Sequence, residues 1–420
     1  MARPTRDRVS ALRPDRLGRR LVDLLGPTGG AARQSLVALI FNSTTSFAAG
    51  GMLVGFNHTW QDLPPMLVLI PAAIGLRGNV FSTLGNRLST AIHTGTFSRS
   101  LGRDSVLGQN LVASFGLTAV MSVLLAIVAK VIAVGLGITG TISVLDLALI
   151  SIVGGLLGSV VVAATTVALT AGAVRFGWDL DNLVAPTVST LGDVVTIPAL
   201  FLAAKLAGHG APSSVSGSVL ILASLGGVLW AWRVGADPLR QIVKESTPVL
   251  AGALVLSSLA GLVLQKQSDL LEGVRAVFVM QPAFVSSAGA LGGILCGRVA
   301  TNLHLGLTTP TLSPGTATRR DMSLVMGLAV PLVLFNTVGA LVTAWIGGST
   351  DPGFWWLLLV ATVASAFTMV FVVALAYYST IGAWRLNVDP DSYGVPIVTA
   401  AVDFVGTMAL VFTVVTLGLR

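Results

Sequence analysis

Apolar runs of about twenty residues recur from residue 35 to the C-terminus, and each is long enough to cross a bilayer as a helix. They fall at roughly 35–56, 66–92, 105–136, 143–174, 183–205, 217–233, 247–265, 274–303, 321–346, 354–381 and 392–418. The expectation is an all-α polytopic membrane protein of about eleven transmembrane helices. With 54% of residues hydrophobic and only 10% charged, no loop is long enough to form a soluble domain. Breakers separate the runs: Asp62-Leu-Pro-Pro65, Gly208 to Pro212, Ala236-Asp-Pro238, Pro310 to Pro314 and Asp351-Pro-Gly353.

Charge orients the chain. A net charge of +7 would raise nucleic acid as a partner, but eight arginines from Arg3 to Arg33 precede the first run. Such a cluster reads as a cytoplasmic tail facing anionic lipid, so the bilayer is the expected partner and nucleic acid is not. With that tail inside, inner loops hold Arg99, Arg103, Arg175, Arg233, Arg240, Lys244, Arg319, Arg320 and Arg385. The opposite side holds only Lys205, Lys266, Arg275 and Arg420, which places the C-terminus outside the cell membrane. No short apolar core with a small-residue cleavage site opens the chain, so no removed signal peptide is expected. The single cysteine, Cys296, excludes a disulfide framework and a Cys-based metal site and reads as a packing residue.

The chain is duplicated. Sliding it by 210 residues lays Asp179, Asp181, Pro186 and Asp193 on Asp389, Asp391, Pro396 and Asp403, with Val188, Val195, Ala199 and Leu200 also repeated. A shift of 211 lays Pro71, Gly78, Leu84, Arg87, Thr90, His93 and Gly95 on Pro282, Gly289, Leu295, Arg298, Thr301, His304 and Gly306. The organisation expected is a basic tail at 1–34, a five-helix repeat at 35–207, a linking transmembrane helix at 208–245 and a second five-helix repeat at 246–420. Because the linking helix restores direction, the repeats are expected to be parallel, about a pseudo-two-fold along the membrane normal. Asp193 and Asp403 would then meet at the axis.

Those two aspartates carry the functional reading. A carboxylate at the centre of a spanning helix costs about 2.5–3.5 kcal/mol, so two of them imply a cation or another partner. Proline seven residues earlier lies on the same side about 10 Å away and frees a carbonyl one turn back. Pro186, Ser189, Pro396 and Thr399 therefore join the aspartates on one face of each fifth helix. Two carboxylates with hydroxyls and carbonyls suit a hydrated hard divalent ion such as Mg²⁺. The competing reading pairs each acid with Arg87, Arg298 or Lys130. In the second helix Asn79, Ser82, Asn86 and Ser89 form a polar stripe at spacings of three and four, matched in the second repeat by Ala290, Gly293, Gly297 and Ala300. Gly293 and Gly297 fit a pore wall or a close packing face equally. Arg87 and Arg298 are expected to snorkel to phosphates, and His93 and His304 to cap helix ends.

The elements Pro71…Gly-Leu-Arg-Gly-Asn79…Asn-Arg-Leu-Ser-Thr90, Asp181-Asn-Leu-Val-Ala-Pro186…Asp193, Gly297-Arg-Val-Ala-Thr301…His304 and Asp389-Pro-Asp391…Pro396…Asp403 resemble the MgtE-type divalent cation transporters. The tandem arrangement is similar to the magnesium solute carriers, whose single chain holds two five-helix units. The resemblance implies magnesium transport through a pore between second and fifth helices, with Asp193 and Asp403 at the ion site and Mg²⁺ as cargo rather than cofactor. One chain would suffice for one pore. The alternative is a proton- or sodium-coupled carrier of a small organic solute, which would place aromatic residues by the acids; Phe404 is the nearest. Na⁺ or H⁺ coupling is open in either case. An enzyme is not expected, for neither a Ser-His-Asp spacing nor His-Glu-x-x-His occurs.

Overall fold

The computed structural model describes residues 29–55, 66–98, 100, 102, 105–135, 142–178, 180–208, 210–233, 237–266, 274–346 and 353–418. Within them the chain forms eleven helices and no strand. They are α1 (Gly29–Gly55), α2 (Met66–His93), α3 (Val106–Gly135), α4 (Val144–Phe176), α5 (Leu180–Ala204) and α6 (Ala211–Arg233), followed by α7 (Asp237–Lys266), α8 (Arg275–His304), α9 (Thr316–Ile346), α10 (Phe354–Arg385) and α11 (Pro390–Leu417). Eight of the eleven are long and apolar enough to span a bilayer by length and composition alone. The other three, α1, α2 and α5, have 27, 28 and 25 residues and carry the polar groups of the site. The chain is a polytopic membrane protein.

Local signals explain where helices stop and start. At α4, Ser143 Oγ accepts from the Asp146 amide at 3.0 Å and the Ser143 hydroxyl donates to the Asp146 carboxylate at 2.7 Å, closing the N-terminus. Gly177 ends the same helix at φ 68°, a conformation glycine adopts without a Cβ penalty. α2 and α8 both end at a histidine, with Gly95 and Gly306 at φ 75° and 69° two residues on. His304 further lays its ring edge against Trp384. α7 begins at Asp237, ten residues before its apolar run, because the charged turns with Arg240, Lys244 and Glu245 continue the helix past the hydrophobic segment. The expected division between residues 245 and 246 therefore falls inside a helix. The Asp62–Pro65 breaker and the arginine tail up to residue 28 lie outside the described residues.

The packing units differ from the sequence units. α1 packs against α5 of its own half but also against α8 and α9. Its counterpart α7 packs against α11 and also against α2 and α3. Leu39 and Phe47 of α1 accordingly sit in a core built otherwise from residues 274–414, while Leu239, Val243, Leu250 and Leu254 of α7 sit in the core of the first half. A first helix is thus exchanged in each direction. α6 is covered only on one side, by α3, α4 and α7, and is exposed along most of its length.

At the centre, α2 packs on α8, α5 packs on α8, and α11 packs on α2. α2 and α8 each pack against both α5 and α11, so the two second helices link the two fifth helices. Close approach relies on glycine. A Cβ on Gly85 of α2 would overlap the Val184 side chain of α5. At the equivalent α8–α11 contact the sizes are reversed: Cys296 is on α8 and Gly394 on α11, whose added Cβ would stand 3.3 Å from Cys296 Sγ. Cys296 is a buried packing residue in this contact.

Candidate intramembrane carboxylate site

Asp193 lies on α5 and is 7% exposed. Its Oδ2 accepts from the Ser46 hydroxyl of α1 at 2.6 Å and from the Ser286 hydroxyl of α8 at 3.1 Å. Ser286 Oγ is also 3.2 Å from Asn42 Oδ1, which accepts from Thr190 Oγ1 at 3.0 Å. Asn42 Nδ2 is buried with no partner among the described residues. Beside this group Ser43 and Ser287 join hydroxyls at 2.8 Å. Around Asp193 three helices, α1, α5 and α8, contribute hydroxyls and an amide, with no cationic side chain among these contacts.

Asp403 repeats the arrangement in simpler form. Its Oδ2 accepts from the Ser257 hydroxyl of α7 at 2.6 Å. Shifting by 211 residues carries Ser46 onto Ser257 and Gly75 onto Ser286. A Cβ on Gly75 would stand 3.2 Å from Asp403 Oδ2 and 3.1 Å from Ser257 Oγ, so the glycine sits where the other acid has its second hydroxyl. Asp403 is half-buried as a result, where Asp193 is buried. The counterparts of Asn42, Ser43, Thr190 and Ser287 are Ala253, Leu254, Ala400 and Leu76, so only the Asp193 side carries the extended polar network. The two carboxylates share no hydrogen bond.

Neither acid forms an ion pair among the described residues. The three basic groups that compete for them are engaged elsewhere: Arg87 Nε donates to Asp389 Oδ2 at 3.0 Å, Arg298 Nη1 to Asp321 Oδ1 at 2.5 Å, and Lys130 Nζ to the Ile142 carbonyl at 2.8 Å. Arg87 and Arg298, expected to snorkel, are instead held in ion pairs, because a carboxylate stands within reach of each. Hydroxyl donors meet Oδ2 of Asp193 and of Asp403 and leave each charge without a cationic partner among the described residues, in a low-dielectric interior. That arrangement attracts a cation. No group of three or more His, Cys, Asp or Glu residues gathers among the described residues, so each acid acts with neutral oxygens around it.

The stripe on α2 is buried as a whole: Asn79, Ser82, Asn86 and Ser89 are each less than 5% exposed. Asn79 Oδ1 accepts from Thr399 Oγ1 of α11, tying the two halves close to the aspartate level. Asn86 faces Gly297 of α8, and Gly293 is buried one turn earlier on α8. Pro396 lines a small cavity with Thr83, Arg87, Ser114 and Ser246. Pro186 and Ser189 lie in α5, with side chains outside the described set. Ser46, Ser257, Ser286 and Asn42 are site residues that the sequence reading passes over. Ser46 and Ser257 carry a signal, since the 211-residue shift superposes them.

These features define a polytopic membrane protein with, in each of two helices equivalent in sequence, a carboxylate that forms no ion pair among the described residues. The family model MgtE, described as a divalent cation transporter, matches residues 70–203 and 281–413, more than half of the chain, and the chain belongs to that family. Solute carrier family 41 member 3 of Mus musculus is 25% identical over 390 residues, covering 86% of this chain and 77% of the relative. Solute carrier family 41 member 2 of Xenopus laevis is 26% identical over 412 residues, covering 90% and 70%. Among solved structures, the eukaryotic MATE transporter AtDTX14 aligns at a TM-score of 0.37 and 11% identity over 92% of this chain and 95% of that one, a likeness too slight to carry an argument.

Proposed function

We propose that this divalent cation transporter carries Mg²⁺ along a path between α2, α5, α8 and α11, with Asp193 and Asp403 as the ion site. The observation that carries the reading is the pair of intramembrane carboxylates held by hydroxyls alone: Ser46 and Ser286 at Asp193, Ser257 at Asp403. An Asp in the hydrocarbon region without a basic partner is a functional group by default. Mg²⁺ gives up its water reluctantly and binds through one or two carboxylates, so a hydrated ion meets a site of two separated acids and surrounding hydroxyls. Asn79, Ser82, Asn86, Ser89, Pro186, Ser189, Gly293, Gly297, Pro396 and Thr399 line the path in this reading. The repeats at 35–207 and 246–420 are parallel, the N-terminus is cytoplasmic and the C-terminus extracytoplasmic, in accord with the arginine asymmetry. One chain supplies both second and both fifth helices, and so one complete path.

The test is Mg²⁺ uptake into vesicles holding purified protein, with and without a Na⁺ or H⁺ gradient. Asp193→Asn and Asp403→Asn keep volume and polarity and remove the charge, so each abolishes most of the flux while the protein stays folded. Wild-type flux in both single variants rejects the ion-site assignment.

A further inference from the structure

The α2–α8 crossing contains a side chain that packing alone does not explain. Asn86 is 1% exposed, and both its Oδ1 and Nδ2 are buried without a hydrogen-bond partner among the described residues. Facing it is Gly297, where an added Cβ would lie 3.1 Å from Asn86 Nδ2 and 3.3 Å from its Oδ1. Asn86 and Gly297 are themselves equivalent under the 211-residue shift. Two equivalent positions in contact mark where the two halves meet on their common axis. At that point one half supplies an amide and the other supplies the space for it. Along α2, Asn86 follows Gly75, the neighbour of Asp403, by eleven residues, about 16 Å of helix. Ser89, one turn further, also has a buried hydroxyl with no partner among the described residues.

An amide left unpaired in the interior loses its hydration without replacement. An apolar side chain of the same size would close the crossing without that loss. The amide is an advantage only in a state where the crossing is wet. We propose that the single Asn86 side chain is the closing element of the cation path: seated on Gly297 it plugs the α2–α8 crossing, and when the helices part its amide meets the water around the passing ion. This rests on the proposed path between second and fifth helices, and it assigns gating to one residue of one half. The asymmetry of the duplication is then functional, for two asparagines would not fit the crossing and two glycines would not close it.

Two substitutions at this position pull flux in opposite directions if the proposal holds. Asn86→Gly sets glycine against glycine and removes the plug, and Asn86→Leu fills the crossing with a group that gains nothing from water. Basal Mg²⁺ flux in vesicles then rises about tenfold in the first and falls about tenfold in the second, the scale set by one unpaired polar group. Asn86→Ala follows the glycine variant and serves in its place if Asn86→Gly does not fold. Gly297→Ala presses on the amide and lowers flux. In a Cys296→Ala background, Asn86→Cys reacts with a charged, water-soluble thiol reagent during transport. Reduced flux in both Asn86→Ala and Asn86→Leu, flux within about twofold of wild type in both, or no reaction at Asn86→Cys overturns the proposal. Failure of the ion-site reading is separate, since it is read from Asp193→Asn and Asp403→Asn.

Discussion

Ser46 and Ser257 stand 211 positions apart, and each donates its hydroxyl at 2.6 Å to the aspartate on the fifth helix of its own half. Each serine belongs to the exchanged first helix, the one that also packs against the second and third helices of the other half. The bond therefore fastens each carboxylate to the helix that bridges the halves.

The two bonds are not equally backed. Asp193 keeps Ser286 when Ser46 is removed, whereas Gly75 stands where Asp403 would have its second donor. A hydrogen bond to a charged group contributes about 1.5–3 kcal/mol, so Ser257→Ala should weaken Mg²⁺ transport about tenfold and Ser46→Ala by a smaller factor. Concentration dependence of uptake for the two variants checks this. Equal losses would mean that Ser286 does not support Asp193.

Gly75 itself is a second point of leverage. With a Cβ placed 3.2 Å from Asp403 Oδ2 and 3.1 Å from Ser257 Oγ, Gly75→Ala crowds the acid that is more open. The expected result is lower Mg²⁺ affinity with little loss of thermal stability, because only the carboxylate and a hydroxyl need to shift. Removing the side chain in the opposite half, Ser286→Gly, should be milder, since Ser46 remains on Asp193.

The size exchange between Gly85–Val184 and Cys296–Gly394 gives a prediction about stability rather than transport. A methyl group on Gly85 overlaps Val184, and overpacking of this kind costs about 1–3 kcal/mol. Gly85→Ala should lower the melting temperature in detergent, and Gly85→Ala with Val184→Ala should recover most of it. At the other contact a Cβ on Gly394 also meets Thr380 Oγ1 at 2.9 Å, so Gly394→Val alone should be poorly tolerated and Cys296→Gly should recover only part of the loss.

Much of this architecture is legible in the chain because hydrocarbon permits little else. Runs of apolar residues fix eleven helices, and the aspartates stand out because a carboxylate there is expensive. What escapes is what depends on neighbours in space. A lone serine in a spanning helix is ordinary, so Ser286 carries no weight until α8 is seen against α5, and Ser46 and Ser257 show only as a match under the 211-residue shift until α1 and α7 are seen against α5 and α11. The exchange of α1 and α7 leaves no trace in periodicity. Asp237 to Glu245 look like a loop because they are charged, yet helical hydrogen bonds continue through them. Arg87 looks like a snorkelling residue because its partner Asp389 is 302 positions away.

That ion pair supports the last prediction. Arg87 Nε meets Asp389 Oδ2 and its Nη2 meets Ser246 Oγ, both at 3.0 Å, joining α2 to the start of α11 and to α7. The Asp389 amide in turn donates to Glu245 Oε2 at 3.2 Å. Arg298, the counterpart of Arg87, makes its pair with Asp321 of α9, inside one half. Chemically alike, the two pairs differ in what they join: the first ties one half to the other, the second does not. Both are partly exposed, so screening by water limits what each adds to folding. Arg87→Gln should therefore change Mg²⁺ flux severalfold, because the tie across the halves is lost and Asp389 is left beside Glu245. Asp389→Asn should change it in the same direction, and the double variant should be no worse than either alone. Asp321→Asn, which breaks only the pair within one half, should alter thermal stability and leave flux close to wild type. A double-mutant cycle on flux, run for both pairs in the same vesicles, decides the matter: coupling at Arg87 and Asp389 with none at Arg298 and Asp321 is the expected result, and equal coupling at both would show that the inter-half tie has no special part in transport.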